Sequence, residues 1–253
     1  MKKVLFVFVS LLLMIRFAAA QPTPGIAIDR EVEWRFGLKA QPSVSWLTTP
    51  LKEFENEGVK LNFGYGLIVE KRLFSSAVLA TGFLVNDFGG TYKYVGQDKH
   101  ILFQNQGDQI DTSIRFNSRK LMLKYLEVPV ALKFRTPEIN YLTYFAHIGL
   151  DFGFRIKATS DDNFRDLIQD RTGSYEKEPV TSDVNFMRMG LQLGLGTEYS
   201  LAGNTAIMIG VSYVNGFTNV MRKESDILIY SDQSKVKQQF SGQAVNLNIA
   251  ILF

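Results

Sequence analysis

The sequence predicts an all-β chain folded as an eight-stranded antiparallel transmembrane β-barrel, with short periplasmic turns and long extracellular loops. Three observations support this prediction. Eight segments alternate apolar and polar side chains with the two-residue period of a half-buried strand. The connections between these segments alternate between short and long. The N-terminus carries an apolar run that is typical of exported proteins.

The N-terminal segment, residues 1–20, has the features of a secretory signal peptide. Lys2 and Lys3 precede an apolar run over residues 4–15, and three alanines come directly before Gln21. We therefore expect residues 21–253 to form the mature barrel domain. Beyond the signal, no apolar run approaches the ~18 residues of a membrane helix. The chain has no cysteine, so disulfide bonds cannot stabilise it.

The charge balance argues against a nucleic-acid partner. The full chain has 28 basic and 25 acidic residues, and three of the basic ones (Lys2, Lys3 and Arg16) lie in the signal. Subtracting these three from 28 leaves 25 basic residues, which equals the number of acidic residues. A neutral mature chain offers no electrostatic support for binding nucleic acid.

The first four predicted strands each set a large apolar face against a face of glycine, small polar or charged residues. The third is the least regular. The apolar faces are formed by Trp34, Phe36, Leu38, Ala40, Val44 and Trp46 in segment 34–46, by Leu61, Phe63, Tyr65, Leu67 and Val69 in 59–71, by Leu79, Phe83 and Val85 in 76–86, and by Leu126, Val128, Val130, Leu132 and Phe134 in 121–134.

The last four predicted strands continue the alternation, and the fifth is the clearest of all. The eighth ends at the aromatic Phe253, which we expect to act as an assembly signal for the barrel insertion machinery. The apolar faces are formed by Leu142, Tyr144, Ala146, Ile148, Leu150, Phe152, Phe154 and Ile156 in 142–156, by Met187, Met189, Leu191, Leu193, Leu195 and Tyr199 in 187–199, by Ile207, Ile209, Val211 and Tyr213 in 206–213, and by Val245, Leu247, Ile249, Ile251 and Phe253 in 244–253.

Two prolines interrupt otherwise regular segments. Pro42 and Pro129 lie inside the first and fourth predicted strands. Proline donates no ladder hydrogen bond, and a closed barrel has no free edge at which to place it. We therefore expect local bulges at both positions.

The connections separate into two classes. The short ones cover residues 72–75, 135–140 and 202–204, and the long ones cover 47–58, 87–120, 158–184 and 215–239. Such segregation is typical of outer-membrane barrels with both termini in the periplasm. Within the second long connection, 91–95, 100–104 and 111–116 also alternate. We interpret them as strands that continue above the membrane and form a recognition surface.

The orientation of the two faces distinguishes a membrane barrel from a soluble calyx with its apolar face inside. The polar face is rich in glycine, which weakens strands but leaves room in a narrow lumen. Charges enclosed there must be paired. This interpretation predicts a structural lumen charge network of Arg35, Lys39, Glu70, Glu127, Lys133, His147, Asp151, Arg155, Arg188 and Glu198.

The aromatic residues provide a check on the dimensions. Trp34 and Trp46 share a face, and their twelve-residue separation spans about 40 Å of strand, or roughly 30 Å of height when tilted. That height matches the apolar band and the aromatic girdles of a membrane barrel. The predicted girdle residues are Trp34, Trp46, Tyr144, Tyr199 and Tyr213.

Catalytic and cofactor motifs are not found, and we predict no catalytic residue, cofactor or metal ligand. His147 and Asp151 share the lumen face, so an acid–base pair in a lipid-modifying enzyme is an alternative to a structural role. The third long connection is acidic, but its spacing does not match an EF-hand loop. A solvated charge run and a calcium site are the two interpretations of that connection.

Three motifs occur in the predicted strands: Tyr125-Leu126-Glu127-Val128-Pro129 followed by Lys133, Gly194-Leu195-Gly196-Thr197-Glu198-Tyr199, and Gly37-Leu38-Lys39. Together they resemble an outer-membrane β-barrel family that is abundant in Bacteroidetes and often called PorT-like. Gln41 stands where the family more often has glycine. The resemblance covers the mature chain and implies an eight-stranded barrel in the outer membrane, in contact with its lipid. Some relatives serve protein secretion, and most have no assigned role.

We therefore predict a non-enzymatic outer-membrane protein. It would act as an envelope anchor, or as a docking and recognition protein that contacts other envelope proteins through its long outer loops. The alternatives are a small-solute, porin-like channel and a lipid-modifying barrel enzyme that uses His147. Eight strands leave no standing aqueous pore, which disfavours the channel.

Overall fold

The computed structural model describes residues 33–95, 101–104, 110–111, 114–166, 170–201, 203–229 and 235–253. The predicted signal peptide lies outside these residues. Within them, no helix is long and apolar enough to cross a membrane. The strands are β1 (Trp34–Thr48), β2 (Phe54–Gly58), β3 (Lys60–Phe74), β4 (Ala77–Tyr94), β5 (Ile101–Gln104), β6 (Ile110–Asp111), β7 (Ile114–Arg135), β8 (Leu142–Asp166), β9 (Arg171–Pro179), β10 (Met187–Ser200), β11 (Ala206–Gly216), β12 (Glu224–Ile229), β13 (Lys235–Lys237) and β14 (Ser241–Leu252).

Eight of these strands close into a ring, as the sequence predicts. The order is β1, β3, β4, β7, β8, β10, β11 and β14, and every neighbouring pair is antiparallel. The ring closes where β14 pairs with β1, from Gly37 opposite Leu252 to Thr48 opposite Ser241. Each predicted segment lies inside one ring strand, except for one end residue in each of the segments 59–71, 76–86 and 244–253, and several strands continue well beyond the predicted segment. The alternation therefore located all eight strands.

The apolar face of the barrel points outward. Leu61 is 80% exposed and Leu195 is 68% exposed, whereas Glu198 on the opposite face of the same strand as Leu195 is 1% exposed. A soluble calyx would have the reverse arrangement, so that alternative is wrong. An outward band of large apolar side chains is stable only against lipid.

The predicted bulges at Pro42 and Pro129 are wrong. Pro42 keeps its register opposite Phe63, and Pro129 keeps its register opposite Asp151. On its other side, each proline lies in a two-residue gap in the pairing, residues 41–42 towards β14 and residues 128–129 towards β4, and the register is the same before and after the gap. Because a strand residue directs its N–H to one neighbour only, a missing donor weakens one side of the ladder and leaves the other intact.

The ends of the ring are called here the turn end, with the three short connections, and the loop end, with the long ones. In an outer-membrane barrel these face the periplasm and the cell exterior. At the loop end β9 extends the sheet by pairing with β8, and β2 pairs with β4. The strands β13, β12, β5 and β6 form a separate four-stranded sheet. Much of the predicted long-loop sequence is therefore regular β-structure, including the expected strands above the membrane.

A bulge in β8 changes which of its residues face inward. Lys124 lies opposite Lys157 while the adjacent Tyr125 lies opposite Arg155, so Ile156 is the extra residue. Before the bulge the inward residues of β8 are odd-numbered, and after it they are even-numbered. Ala158 and Asp162 are consequently buried, whereas Lys157 is exposed.

Candidate functional site

The first group of lumen charges lies at the turn end. Glu198 accepts hydrogen bonds from Arg35 at 2.9 Å and Arg135 at 2.8 Å, and it also contacts Lys133. Glu70 binds Lys133 at 2.6 Å and contacts Arg35. Both carboxylates and the Lys133 side chain are at most 2% exposed. This turn-end cluster brings together four of the predicted lumen charges and adds Arg135.

The second group lies further along the lumen. Arg188 contacts Glu127 and is 3.1 Å from Asp151, and Asn86 donates to both Glu127 carboxylate oxygens at 3.0 Å. The Arg188 guanidinium also lies 4.6 Å from the centre of the Phe88 ring and 5.0 Å from that of Tyr125. This mid-lumen cluster combines ion pairs with cation–π contacts, which suit the planar guanidinium.

Lumen glycines make space for these large side chains. A Cβ atom on Gly153 would lie 2.8 Å from both Cγ and Nε of Arg188. A Cβ atom on Gly194 would collide with the imidazole ring of His147. The alternation of glycine with large polar residues in the sequence is therefore a packing requirement of this narrow interior.

The other three predicted lumen charges do not join the two clusters. Lys39 makes no ion pair within the described part of the chain, and it borders two small cavities. Arg155 donates to the backbone oxygen of Thr181 at 2.9 Å, at the loop end. His147 stacks on Phe145, with ring centres 6.1 Å apart, and its Nε2 atom is buried without a hydrogen-bond partner.

Two small cavities lie between the side chains of the lumen. One cavity, bordered by Lys39 and His147, offers about 40 Å³ to the centres of water molecules, and the other, near Glu127, offers about 10 Å³. A single water needs roughly 10–15 Å³ by this measure. The larger cavity therefore has room for a few water molecules beside the charge clusters.

An apolar core fills the barrel interior at the loop end. It contains side chains from six ring strands and also from β2 and the connecting segments, and the sequence did not predict it. Phe88 is 1% exposed and Met221 is fully buried. This loop-end core consists of Leu47, Phe54, Phe88, Tyr92, Phe116, Leu121, Leu123, Tyr125, Ala158, Val180, Val184, Val214, Val220, Met221, Phe240 and Ala244.

A buried arginine connects the loop-end core to the surrounding segments. Arg119, 1% exposed, binds Asp162 through two parallel hydrogen bonds of 2.7 and 2.8 Å and binds Asp183 at 3.0 Å. Burial raises the pKa of the neighbouring Tyr92, whose phenol therefore stays neutral. A buried charge is costly without a partner of opposite sign, and the carboxylates of Asp162 and Asp183 are the partners of Arg119.

The acidic connection is thus not simply a solvated charge run. Asp162 and Asp183 are buried against Arg119, while Asp170 lies on the surface with Arg165 at 2.6 Å. Among the residues that the structure describes, no group of three or more His, Cys, Asp or Glu side chains could hold a metal ion.

Four of the five predicted girdle residues are exposed on the outer surface. Trp34, Tyr144 and Tyr199 lie near the turn end with exposed fractions of 46%, 51% and 47%, and Tyr213 lies near the loop end. Trp46 is half-buried: it donates to Gln243 at 2.7 Å and stacks on Tyr213, with ring centres 6.4 Å apart. Trp46 and Tyr213 therefore belong to one aromatic contact at the loop end of β1 and β11.

Comparison with known proteins gives one family and several structural likenesses. A family model described as outer membrane protein beta-barrel domain matches residues 19–222. The chain is similar to the solved structure of Ail, the attachment invasion locus protein of Yersinia pestis, with 13% sequence identity, coverage of 88% of this chain and 100% of that chain, and a TM-score of 0.36. It is similar to OprG from Pseudomonas aeruginosa, with 9% sequence identity, coverage of 87% of this chain and 95% of that chain, and a TM-score of 0.43. It is also similar to the outer membrane protease OmpT from Escherichia coli, with 10% sequence identity, coverage of 87% of this chain and 95% of that chain, and a TM-score of 0.34. No curated protein sequence matches it.

Proposed function

This chain belongs to the outer membrane protein β-barrel domain family, and we propose that it serves in the outer membrane as a non-enzymatic anchor whose loop-end β-structure docks other envelope proteins. The closed interior carries this proposal. Charge clusters occupy the turn end and middle of the lumen, and the loop-end core occupies its other end. Such an interior serves stability, which leaves the outer surface as the place for recognition.

The loop-end surface is long and ordered enough to present a binding site. Beyond Arg155, β8 continues for eleven residues to Asp166, or about 36 Å along the strand. It is paired throughout with β7 on one side and over much of this length with β9 on the other. Residues 174–179 of β9 are all exposed. A rigid scaffold loses less conformational entropy on binding than a flexible loop does.

The enzyme alternative finds no support at His147. Within the described residues, its side chain has no hydrogen bond to a carboxylate or hydroxyl group, and Asp151 binds Arg188 instead. General acid–base catalysis needs a partner within hydrogen-bond reach. We therefore propose a packing role for His147.

Phe253 keeps its proposed role as an assembly signal. Its backbone pairs with Phe36 through hydrogen bonds of 2.8 and 3.0 Å, and its side chain is 55% exposed. We also propose that the chain belongs to the PorT-like branch, on the strength of the motif at Tyr125–Pro129 and Lys133.

The channel alternative is tested by conductance. We expect the refolded protein to produce no current steps in planar bilayers, because the lumen of an eight-stranded barrel has room only for side chains and an apolar core packs at the loop end of this one. The same conductance measurement is made on the variant Met221→Gly, which leaves the net charge unchanged but removes a fully buried side chain from that core. Steps in the wild type that vanish on neutralising Glu127 would contradict the proposal and establish the channel.

The docking function is tested by site-specific photo-crosslinking in intact cells. A photoreactive amino acid at Thr172 or Glu176 on exposed β9 should give a discrete protein adduct. The same group at Leu195, which is 68% exposed on the lipid-facing side, should give none. Equal adduct patterns at β9 and at Leu195, or no adduct at β9, would contradict docking through the loop end.

A further inference from the structure

A row of charged side chains crosses the outward face of the barrel on β4, β7 and β8. Asp87 lies directly opposite Lys124, and Lys124 lies directly opposite Lys157. Lys124 binds Asp87 at 3.0 Å, whereas Lys157 is exposed and makes no ion pair within the described residues. Like charges that face each other across a ladder are destabilising. The row therefore holds two ammonium groups against one carboxylate.

The row marks the level at which the outward face changes from apolar to polar. Towards the turn end, the next row of paired residues consists of Val85, Leu126, Phe154 and Met187, which are all apolar. Towards the loop end, the next row of paired residues consists of Gly89, Met122 and Thr159, and the second consists of Thr91, Lys120 and Asp161. We therefore place the boundary between the hydrocarbon region of the membrane and the lipid headgroups at the level of the lysines.

At this level, the outward-facing residues differ between the two sides of the barrel. On β1 and β11 the outer boundary carries the stacked pair of Trp46 and Tyr213, the usual aromatic anchor of a membrane interface. On β7 and β8 it carries lysines, with the exposed Phe186 beside Phe154 at a ring separation of 6.1 Å.

We propose that Lys124 and Lys157 bind the phosphate group of a lipid in the outer leaflet, whose acyl chains lie along the row of Val85, Leu126 and Phe154. A phosphate between the two ammonium groups accepts charge-assisted hydrogen bonds from both and replaces their repulsion by attraction. The adjacent apolar row favours a phosphate attached to a lipid over a soluble ion. This site is on the lipid-facing surface and goes beyond the docking function proposed above.

The test uses the full mature barrel refolded in an uncharged detergent, with bisphosphorylated lipid A as the probe and native mass spectrometry as the readout. The double variant Lys124→Gln/Lys157→Gln should bind lipid A about tenfold more weakly than wild type. The charge-matched control Lys52→Gln/Lys93→Gln changes two lysines elsewhere at the loop end, one exposed and one paired with Glu55, and should bind like wild type. Lys157→Arg should retain binding because it keeps the charge.

A second measurement separates binding from folding. In the absence of lipid, Lys157→Gln should raise the melting temperature because it removes the repulsion from Lys124. In the presence of lipid A, only proteins with a positive charge at both positions 124 and 157 should show a further rise in melting temperature. Unchanged affinity in the double variant, equal affinity for dephosphorylated lipid A, or complete competition by millimolar inorganic phosphate would each overturn the proposal.

Discussion

Replacing Glu198 by alanine should lower the free energy of unfolding by about 3–5 kcal/mol, the usual cost of leaving buried charges unpaired. Glu198 is 1% exposed and contacts Arg35, Lys133 and Arg135, so its loss leaves Glu70 alone to balance three cations. Glu198→Gln should cost nearly as much, because the charge rather than the side-chain volume stabilises the cluster.

Urea unfolding of the refolded protein in lipid vesicles measures this effect. Both tryptophans, Trp34 and Trp46, lie on β1 and report on barrel opening by fluorescence. Glu55→Gln is the control, since Glu55 pairs with Lys93 at 3.0 Å on the surface and its removal should change stability by less than about 0.5 kcal/mol. A loss below about 1 kcal/mol for Glu198→Ala would show that the cluster is not needed to hold the turn end together.

Replacing Arg119 by methionine should open the loop end and leave the membrane-spanning ring closed. The variant keeps much of the apolar stem but leaves Asp162 without its bidentate partner and Asp183 without this contact, at a local cost of about 3–5 kcal/mol. Because regions of a protein can open independently, most of this cost should appear as local unfolding of β9 and the neighbouring segments.

Limited trypsin digestion reads out the opening, with cleavage after Arg171 and Lys177 on exposed β9 expected to accelerate markedly. Arg119→Lys should be intermediate, since an ammonium group cannot reproduce the two parallel hydrogen bonds. Arg165→Met removes an exposed arginine that pairs with Asp170, and it should digest at the wild-type rate apart from the lost cleavage site. Equal digestion rates for the Arg119 and Arg165 variants, together with an unchanged urea midpoint, would contradict the role of Arg119.

The mid-lumen and turn-end clusters illustrate how far the sequence can predict the site. The alternation places Glu70, Glu127, Lys133, Arg188 and Glu198 on one face, and their enclosure requires partners. Which acid meets which base depends on the stagger of strands that are far apart in sequence. Glu198 meets Lys133 across 65 positions, and no local pattern encodes that distance.

The strands, the two faces of the predicted segments and the two kinds of connection could all be predicted from the sequence, because period-two alternation and connection length are local properties of the chain. The arrangement at the loop end depends instead on contacts between distant segments. The bulge at Ile156 exchanges the faces of β8, burying Asp162 and exposing Lys157. Arg119 then meets Asp162 and Asp183 inside a core that residues from distant segments build together. A one-residue change of register reverses the face of every side chain that follows, and pairing between strands sets the register.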